Sequence, residues 1–158
     1  VCIFDWDVHH GNGTQNIIQN NPNIFYVSTH QFPFFPGTGS QLETGEHNNV
    51  LNIPLYAGVG STDYKNKFNE AVIPFIQKSD PDILIISAGF DAHRRDPLAS
   101  INLETKDFVY MIKILQKIKP NLLVGLEGGY DLKALGECCE AVANALIGCS
   151  SKIVKKGA

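Results

Sequence analysis

Asp7 and His9 stand two residues apart where the short apolar run Val1-Cys-Ile-Phe gives way to polar side chains. Residues of equal parity at a strand end point the same way, so this pair can clasp one ion, and Asp5 shares the parity. Asp91 follows a second apolar run and Tyr130 a third. Two carboxylates and an imidazole suit Zn²⁺ or another divalent first-row ion. Three protein ligands leave a position open for water or a substrate carbonyl, which makes the set catalytic in type. Tyr130 follows Gly128 and Gly129, which let the backbone turn sharply and approach closely. A neutral phenol there can donate to a carbonyl oxygen that gains negative charge in a tetrahedral intermediate. Each residue has a plainer reading when taken alone. Asp5 and Asp7 can be a turn that caps a helix over Gly11 to Gln19, with His9 and His10 merely packed; Asp91 can cap a turn, and Tyr130 can pack at a strand-to-helix junction. The same strand-then-polar pattern occurring three times is what points to one shared site.

The elements that must position these residues are legible from period and composition. Five short β-rich runs, Val1 to Phe4, Ile24 to Ser28, Val50 to Ile53, Ile83 to Ser87 and Leu122 to Leu126, are mostly apolar on both faces, as in a parallel sheet covered by helices on both sides. Helical stripes lie between them. Asp63 to Lys78 aligns Tyr64, Phe68, Val72, Phe75 and Ile76; Glu104 to Lys117 aligns Phe108, Met111, Ile112 and Leu115; Leu132 to Leu146 turns Leu135, Cys138 or Cys139, Val142 and Leu146 inward. Thr62 and Glu104 occupy helix starts. Pro74 is predicted to kink its helix. The stretch Gln31 to Asn49 has no period, and loops of that length are usually functional or disordered. The expected fold is α/β, a three-layer αβα sandwich with a central parallel sheet. In such sheets ligands gather outside the carboxyl ends of the strands, where Asp7, His9, Asp91 and Tyr130 can converge.

With 158 residues, 44% of them hydrophobic, the chain supports one core, so residues 1–158 are expected to form a single domain. Val1 opens in mid-strand without an initiator Met, which leads us to expect part of a longer protein. A net charge of -3, with basic residues clustered only in the tail Lys152 to Lys156, argues against direct nucleic-acid binding. Cys2, Cys138, Cys139 and Cys149 show no C-x-x-C spacing, so neither a zinc knuckle nor a disulfide framework is indicated, and a reducing intracellular compartment fits. No membrane span or signal segment is expected. His30 and His47 read as loop or supporting histidines, His93-Arg94-Arg95 as a solvated turn, and Asp96-Pro97 as turn chemistry.

Five ordered segments, Asp5-Trp-Asp-Val-His-His-Gly-Asn-Gly-Thr-Gln, Ser28-Thr-His, Phe34-Phe-Pro-Gly-Thr-Gly, Ser87-Ala-Gly-Phe-Asp-Ala-His and Leu126-Glu-Gly-Gly-Tyr, resemble the successive motifs of the zinc-dependent histone deacetylase family in the arginase/deacetylase superfamily. The wording is closer to class II and bacterial-type members than to class I. The resemblance spans essentially the whole chain but only the C-terminal part of the family's catalytic domain, whose N-terminal part is absent here.

The resemblance implies that Asp7, His9 and Asp91 bind zinc, with Fe²⁺ as a possible substitute, and that Tyr130 polarises the acetyl carbonyl and donates to the oxyanion. The implied reaction is hydrolysis of acetyl-lysine amides in histone tails or other proteins by a metal-activated water. The family's general base belongs to an adjacent His pair upstream of the first motif. His9-His10 is not that pair, so the isolated chain is expected to bind metal better than it turns over. A structural K⁺ is implied at Asp5, Asp7, His9, Ser28 and Thr29. Phe35 matches a wall of a narrow acyl-lysine channel, Leu98 its rim, and Gly128 and Gly129 belong to the same channel. The same site could instead deacetylate small acetylated amines or polyamines, although Leu98 offers no rim acid to greet a second amine. A metal-binding interaction domain without turnover is the contrasting reading for the isolated fragment. Arginase-like binuclear manganese chemistry would need more Asp ligands than these motifs supply. Implied partners are acetylated proteins and corepressor-type complexes, and the implied residence is nuclear, cytoplasmic or both.

Overall fold

The computed structural model describes residues 1–148; Cys149 and the basic tail lie outside that range. Five strands, β1 (Cys2–Asp5), β2 (Phe25–Gln31), β3 (Val50–Leu55), β4 (Leu84–Ala88) and β5 (Leu122–Leu126), form one sheet in the order β3-β2-β1-β4-β5. All four pairings are parallel. Each expected strand is present, with ends moved by a few residues; β2 runs on to Gln31 because Thr29, His30 and Gln31 pair with Ile53, Pro54 and Leu55 of β3.

The helices are α1 (Asn12–Ile18), α2 (Ser61–Lys67), α3 (Ile73–Ser79), α4 (Thr105–Ile118) and α5 (Leu132–Leu146). Pro74 does not simply kink the expected helix over Asp63 to Lys78. A π-helical turn, Phe68–Val72, separates α2 from α3, and Pro74 falls at the start of α3. A proline cannot donate to the preceding turn, and opening that turn by one residue relieves the missing bond while keeping Phe68, Val72 and Ile76 buried. The Glu104 side chain and Asp107 close a reciprocal capping box on α4, as the acidic residue at the helix start led us to expect. Thr62 lies inside the first turn of α2, whose N-cap is Gly60.

One sheet face carries the main core. Cys2, Phe4 and Trp6 from β1 and its extension, with Val27, Leu84 and Ile86, meet Phe68, Phe108, Met111 and Cys138 from the helices. Phe4, Trp6, Phe90 and Phe108 pack with ring centroids 5.1–6.3 Å apart. Burying each such side chain contributes about 1.5–3 kcal/mol, which makes this cluster the anchor for the segments that leave β1 and β4. The opposite face is covered over β1, β2 and β3, where Ile18, Tyr26 and Val50 pack with Ile3 and Ile24. On the β4–β5 side of that face Leu123 is 59% exposed.

Candidate metal centre

The strand order reverses between β1 and β4: from β1 the chain moves outward to β2 and β3, then returns to the other side of β1 for β4 and β5. Crevices at such a switch point, outside the carboxyl ends of the strands, are where open parallel sheets place their ligands. Asp7 and His9 follow β1, and Asp91 follows β4, so the two strands that flank the reversal deliver all three side chains. Tyr130 follows the next strand outward, β5.

These residues meet. One ligand atom each from Asp7, His9 and Asp91 lies within 4.8 Å of the others. His9 Nδ1 is 3.1 Å from Asp7 Oδ1 and 3.0 Å from Asp91 Oδ2. Backbone donors fix the carboxylates: His9 N–H donates to Asp7 Oδ1 at 2.8 Å, Gly128 N–H to Asp7 Oδ2 at 3.0 Å, and Val8 N–H to Asp91 Oδ1 at 2.8 Å. Behind them Asp5 is buried, accepting from Asp7 N–H at 3.1 Å and from the Tyr26 hydroxyl at 2.9 Å. Glycine is required at two points by space. A Cβ on Gly89 would collide with Asp7, and one on Gly128 would collide with both Asp7 and Asp91.

The electrostatics favour a cation at the centre. Hydrogen bonds to Asp7 and then Asp91 push the His9 imidazole up to about 10. Burial pushes the Asp91 carboxyl above its ordinary range. Burial also acts on Asp7, but the hydrogen bonds from His9 and Gly128 outweigh it and hold that carboxyl down. Burial raises Asp5 to about 8 despite its bond from Tyr26. Two carboxylates closed around an imidazole stabilise positive charge between them, and a divalent ion supplies more of it than a proton. Zinc of open coordination takes this donor set, so the residues present fit the metal that the motifs imply.

Tyr130 is half exposed at the mouth of a cleft of about 260 Å³, lined by Asp5, Asp7, His9, Thr14 and Glu127 among others. Desolvation, with the charges of Asp91, Asp7 and Asp96, raises its phenol above the ordinary value, so the hydroxyl stays protonated and able to donate. Phe35 is 75% exposed and stands edge-on to His9 at 6.2 Å, and Leu98 is exposed. Phe34, which the sequence reading did not single out, stacks on His9 at 5.3 Å and 23°. The doublet itself was the available signal.

Of the residues expected around potassium, Asp5 and Ser28 are neighbours in the β1–β2 register, and Thr29 Oγ1 is 3.4 Å from the Asp5 carbonyl oxygen. His30 is buried beside them, its ring between Ser28 Oγ at 2.9 Å and the Gly39 carbonyl at 2.9 Å. It is not part of the Asp7, His9 and Asp91 cluster, and it lies on a strand where a loop was one expectation. The expectation of a solvated turn at His93-Arg94-Arg95 is corrected. His93 is buried, accepting from Arg95 N–H, and Arg95 reaches Glu137 at 2.6 Å; only Arg94 is well exposed. The apolar residues Ile101 and Leu103 that follow this turn fold it onto the core.

The family model of the histone deacetylase domain matches residues 1–146. The chain belongs to the histone deacetylase family. It is 50% identical over 137 residues to the Synechocystis protein slr0245, covering 87% of this chain and 45% of that protein. It is 38% identical to the chloroplastic histone deacetylase 10 of rice, covering 94% of this chain and 35% of that one. The solved structure of the HDA15 HD domain superposes with a TM-score of 0.90 at 39% identity, over 94% of this chain and 44% of that chain. The chain thus spans less than half of each of these relatives, and the shared fold is the three-layer α/β architecture expected from the strand pattern.

Proposed function

We propose that this chain carries the metal-binding and oxyanion-stabilising part of a zinc-dependent hydrolase of acetyl-lysine amides in proteins. The convergence of Asp7, His9 and Asp91 at the switch point, with Tyr130 beside them, is the observation that carries this reading. Asp7, His9 and Asp91 would hold the zinc, which when bound supplies Lewis acidity toward water and the scissile carbonyl. The chain's own residues do the remaining work. Tyr130 keeps its proton and donates to the carbonyl oxygen as charge develops there. Phe35 and Phe34 wall the approach with apolar surface that suits a lysine's methylene stem, and Leu98 forms the rim. Gly128 and Gly129 admit the acyl end without a side chain in its way.

A K⁺ at Asp5, Asp7, His9, Ser28 and Thr29 belongs to the same reading. It would brace the ligand loop from below, and the nearness of Thr29 Oγ1 to the Asp5 carbonyl supports it. Proton transfer is assigned to a histidine pair supplied by the rest of the protein, so turnover belongs to the full-length form. Among the described residues no helix is long and apolar enough to cross a membrane.

The test is hydrolysis of an acetyl-lysine peptide by the full-length protein, with this 158-residue chain in parallel and metal analysis of both. Turnover in the full-length protein alone, with zinc in both, is the expected result. Zinc without peptide turnover in either would replace the substrate assignment with another amide or a binding role, and a metal-free full-length protein would overturn the site.

A further inference from the structure

Tyr130 is half exposed, so packing alone does not fix its ring, and the flanking backbone must do so. On one side the turn is tied to the triad: Gly128 N–H donates to Asp7, and the Gly128 carbonyl accepts from Phe90 N–H at 2.7 Å. Gly129 then adopts φ 151°, which leaves the chain a soft joint just before the tyrosine. Beyond the joint a single side chain takes over. Asp96, 6% exposed, accepts from Tyr130 N–H at 2.8 Å through Oδ2 and from Leu98 N–H at 2.9 Å through Oδ1. Its neighbour Arg95 spans the start of α5, with Nη2 2.6 Å from Glu137 Oε2 and Nε 3.7 Å from Asp131 Oδ1. Asp131 is also the residue that caps α5, accepting from Ala134 N–H at 2.6 Å.

We propose that Asp96 is a positioning residue for Tyr130, and that Arg95 and Asp96 together clamp the β5–α5 turn so that the phenol is held over the metal triad. This rests on the function proposed above. A carboxylate is needed there because both partners are N–H donors and each takes one oxygen; such charge-assisted bonds are about twice as strong as neutral ones. Asparagine would keep the shape but set its NH₂ against one of the two donors. The same carboxylate joins Tyr130 to Leu98, so it sets the phenol and the channel rim with one group. Its effect on the chemical step should pass through Tyr130, and its effect on substrate affinity through Leu98.

A double-mutant cycle in the zinc-loaded full-length protein tests this, using an acetyl-lysine peptide and the variants Asp96→Asn, Tyr130→Phe and their combination. Displacing a reacting group by about 1 Å costs roughly 100-fold, so Asp96→Asn should lower kcat by about 10- to 100-fold with zinc content unchanged. Joined to Tyr130→Phe it should lower kcat no further, while its increase in KM persists. Amide hydrogen exchange gives a readout that needs no turnover: Asp96→Asn should speed exchange at Tyr130 or Leu98. A wild-type kcat in Asp96→Asn, or losses that multiply in the combined variant, would overturn the proposal. If the wild-type protein hydrolyses no acetyl-lysine peptide, the function reading falls separately, and unaltered exchange at both amides still sinks the clamp. Should Asp96→Asn fail to fold, Arg95→Gln loosens only the α5 side; it should give a smaller kcat loss that also vanishes beside Tyr130→Phe, and multiplied losses there refute the clamp equally.

Discussion

Replacing Gly128 with alanine adds one methyl group where Asp7 and Asp91, the carboxylates of the proposed metal site, face the β5–α5 turn. Gly128 is not among the glycines of positive φ, so its backbone accepts alanine and the effect of the substitution is one of space. The new Cβ would lie 2.8 Å from Asp7 Oδ2 and closer still to Asp91 Oδ2, whereas ordinary contact begins near 3.4 Å. Asp7 Oδ2 must therefore retreat by about 0.6 Å (3.4 − 2.8) and Asp91 by more, while metal–ligand distances tolerate about 0.2 Å. The carboxylate cannot swing freely, because Gly128 N–H holds the same oxygen at 3.0 Å. Disturbing groups that orient ligands costs about 10- to 100-fold in metal affinity, and moving two ligands at once belongs at the upper end, about 2.7 kcal/mol. Zinc affinity by chelator competition, beside thermal melting of the metal-free protein, measures this. Affinity should fall about 100-fold with little change in the metal-free melting temperature. Wild-type affinity in Gly128→Ala would refute the argument that this glycine exists to make room for the carboxylates.

Asp91→Ala in the full-length protein should abolish zinc retention and turnover together, read by metal analysis and peptide hydrolysis, since it removes a proposed ligand and the acceptor of Val8 N–H. Tyr130→Phe should keep the zinc and lose most turnover; retained turnover would rule out the oxyanion role. Away from the site, Asp107 ties α2 to α4, with Lys65 Nζ at 2.7 Å and Ser61 Oγ also donating. Burial would push its carboxyl up, but the bonds from Lys65, Ser61 and Glu104 N–H hold it below the ordinary carboxylate range. Its stabilisation is therefore complete above the unfolded value near 4 and is lost as pH falls through the lower folded value. Asp107→Asn should cost about 2–4 kcal/mol in urea unfolding at pH 7 and less at pH 3; an equal cost at both would remove the ion pair from the account.

The sheet was legible because parallel strands leave short apolar runs that need no partner sequence to be seen, as in Leu84–Ala88. Asp7, His9, Asp91 and Tyr130 were legible because each ends such a run. What was not legible depends on distant pairing. Asp96 binds Leu98 two residues away, which reads as an ordinary Asp-Pro turn, and Tyr130 34 residues away, which leaves no local trace. The solvated reading of His93-Arg94-Arg95 failed for the same reason, since the acids that take Arg95, Asp131 and Glu137, belong to another element. The long stretch after β2 has no period, yet Ser40 N–H donates to Glu43, His30 meets the Gly39 carbonyl, and Asn49 Nδ2 donates to the carbonyls of Ile18, Asn21 and Ile24. Side-chain bonds to backbone fix it, and these carry no periodic signature.

The proposed roles in metal binding and in turnover fall on different parts of this chain. The proposed metal site draws on β1 and β4 alone, whose extensions are anchored by Trp6, Phe90 and Phe108 in the main core. The β4–β5 edge is different: on β5, the strand that leads to Tyr130, Leu123 and Leu126 point to opposite faces and are 59% and 58% exposed. Parallel sheets are ordinarily covered on both faces, so the turn that carries the phenol leaves a strand with less burial than those that carry Asp7, His9 and Asp91. The triad is thus built on the more buried part of the molecule and the proposed oxyanion donor on its less buried margin, where we propose that the Arg95–Asp96 contacts supply what packing does not. On that account the 158-residue chain should retain zinc while Tyr130 samples more positions than in the full-length protein. Amide exchange at Tyr130 that is no faster in the short chain than in the full-length protein would contradict it.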